Sequence, residues 1–366
     1  MRIFIVMMTL LLSTGALAQT QIVTDLQGRS VAVNTPVKRL FLADARDILA
    51  VDIAAGKTHF SSLSGWSDTL VHYAPDLEAA YLEAAPELAR LPVLPKSKDG
   101  TFTTENLLAL SPDAVLMHKS SYGLMKSTNL LPQLEAAGIP VIFIDFRSDM
   151  TENTPKSIQL IGTLFETEGR AAEFSEYYRL KLAALRQRLP EQKPSVLIES
   201  NAGLFGNDCC RLYGRTGFGE LAEIAGGDNL VRDTMPANGA ESSIENILHL
   251  NPQFYVLTGA DWKQYNRRSE AVTLGYGAPA EPAQKVMNAL MNRQGLASLE
   301  AVKSQHVMAV YHNFYNSPLN IFAAEALAAF FHPQAFSDLN PQAEMVSFHQ
   351  RFTAISGAGT FWVTMQ

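Results

Sequence analysis

The sequence predicts an α/β protein with two lobes whose sheets are mostly parallel. Apolar strand segments alternate with helical segments in two separate parts of the chain, and one long helical segment lies between these parts. This alternation is typical of parallel sheets that are covered by helices. The chain has 366 residues, which is more than one hydrophobic core usually organises, so we expect two domains.

In the N-terminal part, a turn at Gln27-Gly28 between two alternating apolar segments predicts a hairpin. Gly56 is expected to end a helix, because glycine accepts the backbone conformation that follows many helices. The segment Ser61–Trp66, rich in serine and glycine, is expected to be a loop. The predicted elements are the hairpin Gln21–Val33, the strand Arg39–Leu42, the helix Asp47–Ala55, a helix that carries Glu105, the strand Ala114–Met117, the helix Leu130–Ala137 and the strand Val141–Ile144.

A single amphipathic helix is predicted from Gly169 to Leu189, where apolar residues recur at near-helical spacing. A helix of this length spans roughly 30 Å and can cross from one lobe to the other, and Pro190 and Pro194 end it. We therefore expect an N-terminal lobe at 19–166, an interlobe helix at 167–190 and a C-terminal lobe at 191–366. The elements predicted in the C-terminal lobe are the strand Ser195–Ile198, the helix Gly219–Ala225, the strand Phe254–Leu257, the strand Val307–Val310 and the helix Asn320–Phe331.

Residues 1–18 have the pattern of a secretory signal peptide. A charged start at Met1-Arg2 precedes an apolar run from Ile3 to Leu12 and the small-residue site Ala16-Leu17-Ala18. The residue directly after that site is Gln19 and not a cysteine, which argues against a lipid anchor. No later apolar run reaches the ~20 residues that a membrane helix needs. We expect a mature chain that begins near Gln19 and works in the periplasm.

Composition and motifs narrow the classes of function. The net charge of −7 argues against nucleic acid as a partner, because phosphate binding needs a basic surface. We find no Gly-x-Ser-x-Gly, His-Glu-x-x-His or Ser-x-x-Lys motif in a fitting context, and we do not expect an enzyme. Isolated carboxylates such as Asp145 and Asp261 leave a periplasmic hydrolase or a chelate-processing enzyme as the alternative of another class.

One segment of the chain is repeated. Thr104–Asp113 is echoed by Ile244–Gln253, and in both copies a glutamate, Glu105 or Glu245, stands seven residues before a proline. Each copy predicts a short helix followed by an apolar strand. A single such glutamate fits an exposed helix face, where it complements the helix dipole. Two glutamates in the same frame favour a pair of carboxylates that two similar lobes offer to a partner.

The order and spacing of several short motifs identify a family. The chain resembles the class III periplasmic substrate-binding proteins of ABC importers, the family that binds iron-siderophores, haem and cobalamin, over nearly the whole mature chain. This resemblance implies two α/β lobes joined by one rigid helix, a ligand cleft between the lobes and an ABC permease in the inner membrane as partner. It also implies that Glu105 and Glu245 meet arginines of that permease, and we expect the receptor to be a monomer. The motifs are Val23–Arg29 with Lys38–Leu40, Leu110–Asp113, Gly219–Asn229 and Leu250–Pro252.

The loops at the strand ends of both lobes should line the cleft. They carry aromatic walls that suit a flat or bulky organic ligand and guanidinium groups that suit carboxylate, catecholate or hydroxamate oxygens. Each residue taken alone also fits a structural role, because aromatics fill cores and arginines cap carbonyls. The candidate ligand-binding residues are Trp66, His118, Tyr122, Arg147, Arg211, Tyr213, Arg215, Trp262, Tyr265, His312 and Tyr315.

An anionic iron chelate, foremost a ferric siderophore, fits both the aromatic walls and the guanidinium groups of the predicted cleft. The Fe(III) would then arrive with the ligand, and the protein would need no cofactor of its own. Haem, cobalamin and a molybdate- or tungstate-type oxyanion are the alternatives within the family, and Tyr315 or His312 could contact the metal or the chelate. The eight histidines show no spacing typical of metal ligands, which disfavours a bare zinc or manganese binder.

Cys209 and Cys210 are the two cysteines of the chain and they are adjacent. Neighbouring Cα atoms lie only ~3.8 Å apart, below the usual disulfide range of roughly 4.4–6.8 Å, so a disulfide between them would be strained. An oxidising periplasm permits such a bond. Two free thiols packed as small apolar groups, or thiolate ligation of a metal, are the alternatives.

Overall fold

The structure, a computed structural model, describes residues 19–95, 102–206, 209–293 and 295–365. The expected signal peptide at 1–18 lies outside the described residues. Within them, we find no helix that combines the length and the apolar composition needed to cross a membrane.

The N-terminal half builds a hairpin and a parallel sheet. The hairpin strands pair in antiparallel register, with Val23 opposite Val31, and the Leu26 N–H donates to the Phe143 carbonyl, which ties the hairpin to the sheet. The sheet has the strand order β5-β4-β3-β6-β7, and every neighbouring pair in it is parallel. The strands are β1 (Gln19–Thr24), β2 (Ser30–Thr35), β3 (Leu40–Leu42), β4 (Leu63–Ser67), β5 (Val93–Leu94), β6 (Ala114–His118) and β7 (Val141–Ile144).

The C-terminal half builds a second, mixed sheet. Its three central strands, β8, β12 and β14, are parallel, and shorter antiparallel strands lie at both edges. The strand order is β11-β9-β8-β12-β14-β16, with β10 also paired to β8, while β13 and β15 form a separate small pair. The strands are β8 (Ser195–Ser200), β9 (Arg211–Leu212), β10 (Asp228–Asn229), β11 (Ala240–Glu241), β12 (Phe254–Gly259), β13 (Gly275–Tyr276), β14 (Val307–Tyr311), β15 (Gly359–Thr360) and β16 (Trp362–Thr364).

Helices connect the parallel strands and cover both sheets. Short 3₁₀ helices at Ala45–Asp47, Lys57–Ser62, Pro86–Arg90, Lys119–Ser121, Leu296–Ser298 and His312–Asn316 occupy several of the connections. The α-helices are α1 (Ile48–Ala55), α2 (Thr69–Tyr73), α3 (Pro75–Ala84), α4 (Thr104–Ala109), α5 (Tyr122–Ser127), α6 (Leu130–Ala136), α7 (Met150–Phe165), α8 (Glu168–Arg188), α9 (Phe218–Ile224), α10 (Ile244–Leu250), α11 (Ala280–Met291), α12 (Glu300–Lys303), α13 (Asn320–Phe331) and α14 (Pro341–Phe352).

The long helix α8 lies between the two halves in sequence and packs against both. It buries Phe174 and Tyr178, and the Tyr178 hydroxyl donates a 2.9 Å hydrogen bond to the Asn320 side chain in the C-terminal half. Arg170 donates to the Ile53 carbonyl at 3.0 Å and to the Phe352 carbonyl at 2.6 Å, so it joins α1 to α14. One apolar cluster runs continuously from the first sheet through these helices to the second, which makes the junction a packed one.

The two-lobed α/β fold with parallel sheets is confirmed. The prediction of a loop at Ser61–Trp66 is wrong, because the chain forms a 3₁₀ helix to Ser62 and then the strand β4, in which every residue is buried. A strand that is covered on both faces has no polar alternation to reveal it. The boundaries of the lobes at residues 166 and 190 stay a prediction.

Candidate functional site

A cavity of about 270 Å³ opens at the carboxyl ends of β3, β6 and β7, where the loops of the first sheet meet a loop of the second. Ligands of open α/β sheets bind at strand ends of this kind. One part of the cavity wall is polar and another is apolar. The lining residues are Ala43, Asp44, Arg46, Thr69, Tyr73, Phe102, Met117, His118, Ser120, Ser121, Leu124, Met125, Arg147 and Asn316.

Arg46 spans the gap between the two halves of the protein. It follows β3 in a 3₁₀ turn that Asp44 caps, and its guanidinium donates to both oxygens of that aspartate, at 2.9 and 2.6 Å. A further guanidinium nitrogen donates to the Asn313 side chain of the second half at 3.0 Å, and the group also bonds the Tyr315 hydroxyl. Because protein groups occupy the donors of Arg46, this arginine joins the halves more than it offers itself to a ligand.

Arg147 is arranged differently. It follows β7, and its backbone is fixed by an N–H bond to Asp145 at 2.9 Å and by a carbonyl bond from Gly217 at 2.9 Å. Its guanidinium carbon lies 4.8 Å from the centroid of the Tyr315 ring, a cation–π contact. Within the described ranges of the chain, no carboxylate forms an ion pair with it. The cavity therefore contains a half-buried cation that is available to an anion.

Tyr315 lies behind the cavity wall, against Arg147, and is almost fully buried. Burial acts to raise the pKa of its hydroxyl, but the Arg147 and Arg46 guanidiniums outweigh this effect, so the pKa lies below its ordinary value. The two guanidiniums thus favour the ionised form of this phenol.

An aromatic cluster supports Tyr315 from behind. The His312 ring lies 4.7 Å from Tyr315 and 5.1 Å from Trp262, and Tyr213 lies 6.3 Å from Tyr315. His312 shares a 2.9 Å hydrogen bond with Thr258. Burial, with a smaller effect of Arg46 and Arg147, lowers the pKa of His312 to about 3, so this imidazole is neutral. These rings orient Tyr315.

His118 ends β6 and lines the polar wall. Its Nε2 atom lies 3.0 Å from Asp47 and 3.2 Å from the Asn316 side chain, which again connects the two halves. Burial raises the pKa of Asp47, and the His118 ring partly offsets that rise. The Nδ1 atom of His118 and the Oδ1 atom of Asn316 are buried and have no protein partner in the described residues. The Asn316 oxygen can accept a hydrogen bond from a ligand, and the His118 nitrogen can donate or accept one according to its tautomer.

Of the eleven sequence candidates, His118 and Arg147 line the cavity and the other nine do not. Trp66 lies in β4 and is buried in the apolar core. Tyr122 packs edge-on against Phe143, and Tyr265 lies at the rim, 5.2 Å from the ring of Tyr73. Two arginines lie in or after the short strand β9, where surface carboxylates pair with them: Arg211 with Glu241 at 3.7 Å and Arg215 with Asp233 at 3.3 Å.

Several site residues were not singled out from the sequence. Asp44 and Arg46 lie in a loop that the strand-end rule does place in the cleft, but their mutual ion pair has no sequence signature. Asn313 and Asn316 resemble ordinary turn residues. The apolar wall formed by Phe102, Met117, Leu124 and Met125 combines residues from three elements, and their types are those of any core.

The two repeated helices have matching geometry. Thr103 caps α4 by accepting from the Asn106 N–H at 3.2 Å, and Ser243 caps α10 by accepting from the Asn246 N–H at 3.2 Å. Glu105 and Glu245 are exposed in the first turns of these helices. The pKa of Glu245 lies below its ordinary value because its own backbone N–H, and then the Ser243 side chain, bond the carboxylate. The duplication seen in sequence is thus a duplication in structure.

The helix ends match as well. Ser111 and Asn251 both adopt positive φ angles, of 43° and 39°. Each helix then leads into a central strand, β6 or β12. The side chain of Asp113 accepts from the Lys38 N–H at 2.9 Å, and that of Gln253 accepts from the Ser195 N–H at 3.0 Å. Both lobes therefore present a glutamate from the same scaffold.

Cys209 and Cys210 form a disulfide just before β9. Their sulfur atoms lie near the carboxylate of Glu199, so three possible metal ligands are grouped there. Arg293 holds both oxygens of Glu199, at 2.8 and 2.7 Å, and the Tyr255 hydroxyl donates to one of them at 2.9 Å. A cation would have to displace this buried ion pair, which argues against a metal site.

The chain matches known proteins over most of its length. The model of the family described as "Periplasmic binding protein" matches residues 72–311. An uncharacterized ABC transporter substrate-binding lipoprotein of Bacillus subtilis, YvrC, is 24% identical over 249 residues, which cover 66% of this chain and 69% of that protein. The solved TroA-like periplasmic binding protein FepB from Veillonella parvula has a TM-score of 0.84 and 27% identity over 94% of this chain and 99% of its own.

A more distant structure shares the fold alone. The molybdate-binding protein MolA of Haemophilus influenzae has a TM-score of 0.67 and 20% identity over 93% of this chain and 99% of its own. The family and these relatives are substrate-binding transport proteins that act outside the cytoplasm. The chain belongs to the periplasmic binding protein family, in its class III, TroA-like branch of ABC-importer receptors.

Proposed function

We propose that this protein is a periplasmic receptor that captures an anionic iron chelate, foremost a ferric siderophore, and delivers it to an inner-membrane ABC permease. The chelate brings the Fe(III), and the receptor makes and breaks no covalent bond. The observation that carries the proposal is the division of the cavity wall: the unpaired guanidinium of Arg147 lies in the same 270 Å³ space as the side chains of Phe102, Met117 and Met125.

This division favours an organic anion. Arg147 presents a planar fork that suits carboxylate, catecholate or hydroxamate oxygens, and the Tyr315 ring packs against its guanidinium. The apolar wall would contact hydrocarbon or aryl groups of the ligand, and Phe102 is itself braced by an edge contact with Phe41 at 5.3 Å. A bare cation would meet Arg147 as a repulsive charge.

A molybdate-type oxyanion is the second candidate, and the size of the cavity favours it. About 270 Å³ is below the roughly 300–1,000 Å³ of typical organic-ligand pockets. None of the six tryptophan and tyrosine candidates that argued for a large ligand lines the cavity: Trp66, Tyr122, Tyr213, Trp262, Tyr265 and Tyr315. The apolar wall weighs against this candidate, because an oxyanion would leave the apolar side chains without a partner. A chelate would also fit the small volume if only one of its arms entered the cavity.

Docking to the permease would use Glu105 and Glu245. Both glutamates are exposed, and matching caps hold their helices. Phe102 of the cavity wall lies only three positions before Glu105 in the chain, so the cleft and this docking residue share one short segment. Charge-assisted pairs with permease arginines would contribute roughly 1.5–3 kcal/mol each and would fix the orientation of the receptor.

The test is a titration of the purified mature protein with a panel of ferric catecholate, hydroxamate and carboxylate chelates, haemin, cobalamin and molybdate. Intrinsic tryptophan fluorescence and calorimetry would report binding. We expect saturable binding of at least one ferric chelate and competition by its iron-free form only at higher concentration. Binding of molybdate with no response to any chelate would replace the proposal by the second candidate. Chemical turnover of a chelate would instead indicate an enzyme.

A further inference from the structure

Cys209 and Cys210 lie close to the start of α10, the helix that carries Glu245. Strands β9 and β11 are antiparallel, with Arg211 opposite Glu241, and the next pair joins Cys210 to Ser242 through two backbone hydrogen bonds. The Ser242 N–H donates to the Cys210 carbonyl at 2.8 Å, and the Cys210 N–H donates to the Ser242 carbonyl at 3.4 Å. The cysteine pair is therefore part of the segment that leads into α10.

Ser242 and the next residue together hold the first turn of α10. The Asn246 side chain donates to the Ser242 hydroxyl at 2.9 Å, and the Asn246 backbone N–H donates to the Ser243 hydroxyl at 3.2 Å. Glu245 lies within this turn. A change in the backbone at Cys210 thus reaches the docking carboxylate through Ser242 and Asn246.

The surroundings of the two sulfurs suit exchange at one of them. Cys209 is half-buried, whereas Cys210 is buried, and the Tyr255 hydroxyl lies 3.7 Å from the Cys210 sulfur. An external thiol would reach the sulfur of Cys209 first, and the released Cys210 thiol keeps the Tyr255 hydroxyl as a partner. The nearby Glu199–Arg293 ion pair involves neither sulfur.

We propose that Cys209–Cys210 is a reversible thiol–disulfide site that sets the order of the helix carrying Glu245 and thereby the docking of the receptor. Reduction breaks the bond between the two sulfur atoms, and a protein dithiol supplies two electrons and two protons and leaves as a disulfide. The oxidised pair restrains the chain beside Ser242, and the reduced pair releases it. The cavity residues lie on other loops, so ligand binding is unaffected. The docking consequence rests on the proposed function, whereas the ordering of α10 does not.

The test compares hydrogen exchange of the oxidised and the reduced wild-type protein, with thiols counted by alkylation and mass spectrometry. Residues 242–250 should exchange roughly fivefold faster after reduction, if the contact of Ser242 with the first turn contributes about as much as an N-cap does. The matching helix Thr104–Ala109, which has no cysteine neighbour in sequence, is the internal control and should not change. The double variant Cys209→Ser/Cys210→Ser should exchange like the reduced protein with or without reductant.

A second arm measures binding to the permease. Reduction should weaken docking by about the same factor, while the affinity for a ferric chelate stays constant. Equal exchange of residues 242–250 in both states would overturn the proposal, as would a pair that no dithiol reduces. Failure to bind any chelate would refute the proposed function and leave the exchange result standing, so the two failures are distinguishable.

Discussion

The guanidinium carbon of Arg147 lies 4.8 Å above the ring of Tyr315, and the two residues come from opposite halves of the protein. Arg46 bonds the hydroxyl of the same tyrosine. Two positive groups thus flank one buried phenol behind the cavity wall. Arg46 is bound to Asp44 and Asn313, which leaves Arg147 as the arginine that a ligand can engage.

Replacement of Arg147 by alanine should weaken binding of the ferric chelate by about 10- to 150-fold, because a charge-assisted bond contributes roughly 1.5–3 kcal/mol. Calorimetric titration measures the change. Arg215→Ala is the matched control, since that arginine lies on the surface beside Asp233, and it should bind as the wild type does. Equal losses in both variants would show that net charge, and not the cavity, is responsible.

Tyr315 should ionise at lower pH than an ordinary tyrosine. The neighbouring guanidiniums favour the phenolate and lower the pKa of the hydroxyl, although burial opposes them. An alkaline titration followed by ultraviolet absorbance should show one early-ionising phenol in the wild type, below the usual value near ~10. This early phase should vanish in Tyr315→Phe and persist in Tyr265→Phe, which alters the rim. A wild-type curve without an early phase would contradict the arrangement of the site.

Glu220 should make stability depend on pH near neutrality. It accepts a 2.5 Å hydrogen bond from the Met150 N–H across the two halves, and burial, with Asp149 and Asp145 adding repulsion, raises its pKa from 4.5 to about 7. A raised carboxyl pKa means that the folded state binds the proton more tightly than the unfolded state does. Its stabilising contribution is therefore complete below pH 4.5 and is lost as the pH rises through about 7.

The variant Glu220→Gln isolates this contribution. Its amide oxygen can still accept from Met150 but carries no charge. The decrease in melting temperature between about pH 5 and about pH 8 should be smaller in the variant than in the wild type, because these two pH values lie on either side of the pKa of Glu220. Parallel pH profiles for the two proteins would show that Glu220 does not titrate in this range.

Reversal of both docking charges, Glu105→Lys with Glu245→Lys, should abolish uptake through the permease while the affinity for the chelate stays constant. Both side chains are exposed and lie outside the cavity wall, so the substitutions leave the cleft intact. Each single reversal should reduce docking, and added salt should weaken wild-type docking because exposed ion pairs are screened. A parallel loss of chelate affinity would mean that these glutamates support the fold.

Much of the scaffold was predictable because its signals are local. The helix Asn320–Phe331 and the strand Val141–Ile144 occupy the predicted residues, since long apolar runs between turn residues determine them. The repeat around Glu105 and Glu245 also predicted two matching helices with similar caps. The strand β4, which contains Trp66, was missed. It is buried on both faces, and the small residues Ser64 and Gly65 give it the composition of a loop.

The residues of the site were less predictable, because the tertiary path of each loop decides which of its side chains reach the cavity. Arg211 and Arg215 follow β8 in sequence, but the chain returns antiparallel as β9 and carries both toward surface carboxylates. His118 ends β6 and Arg147 lies three residues after β7, so both reach the cavity at the carboxyl ends of neighbouring parallel strands. The pairing of Arg46 with Asp44 and Asn313 is tertiary, and residue types alone do not encode it.

The most direct test of the central claim is native mass spectrometry of the receptor purified from the periplasm of its own cells under iron limitation with ferric iron resupplied. We predict a bound species that carries the isotope pattern of iron and a net negative charge, and its loss in Arg147→Glu. Recovery of an oxyanion or of a bare metal ion at the same position, or retention of the iron species by the Arg147→Glu variant, would contradict the account.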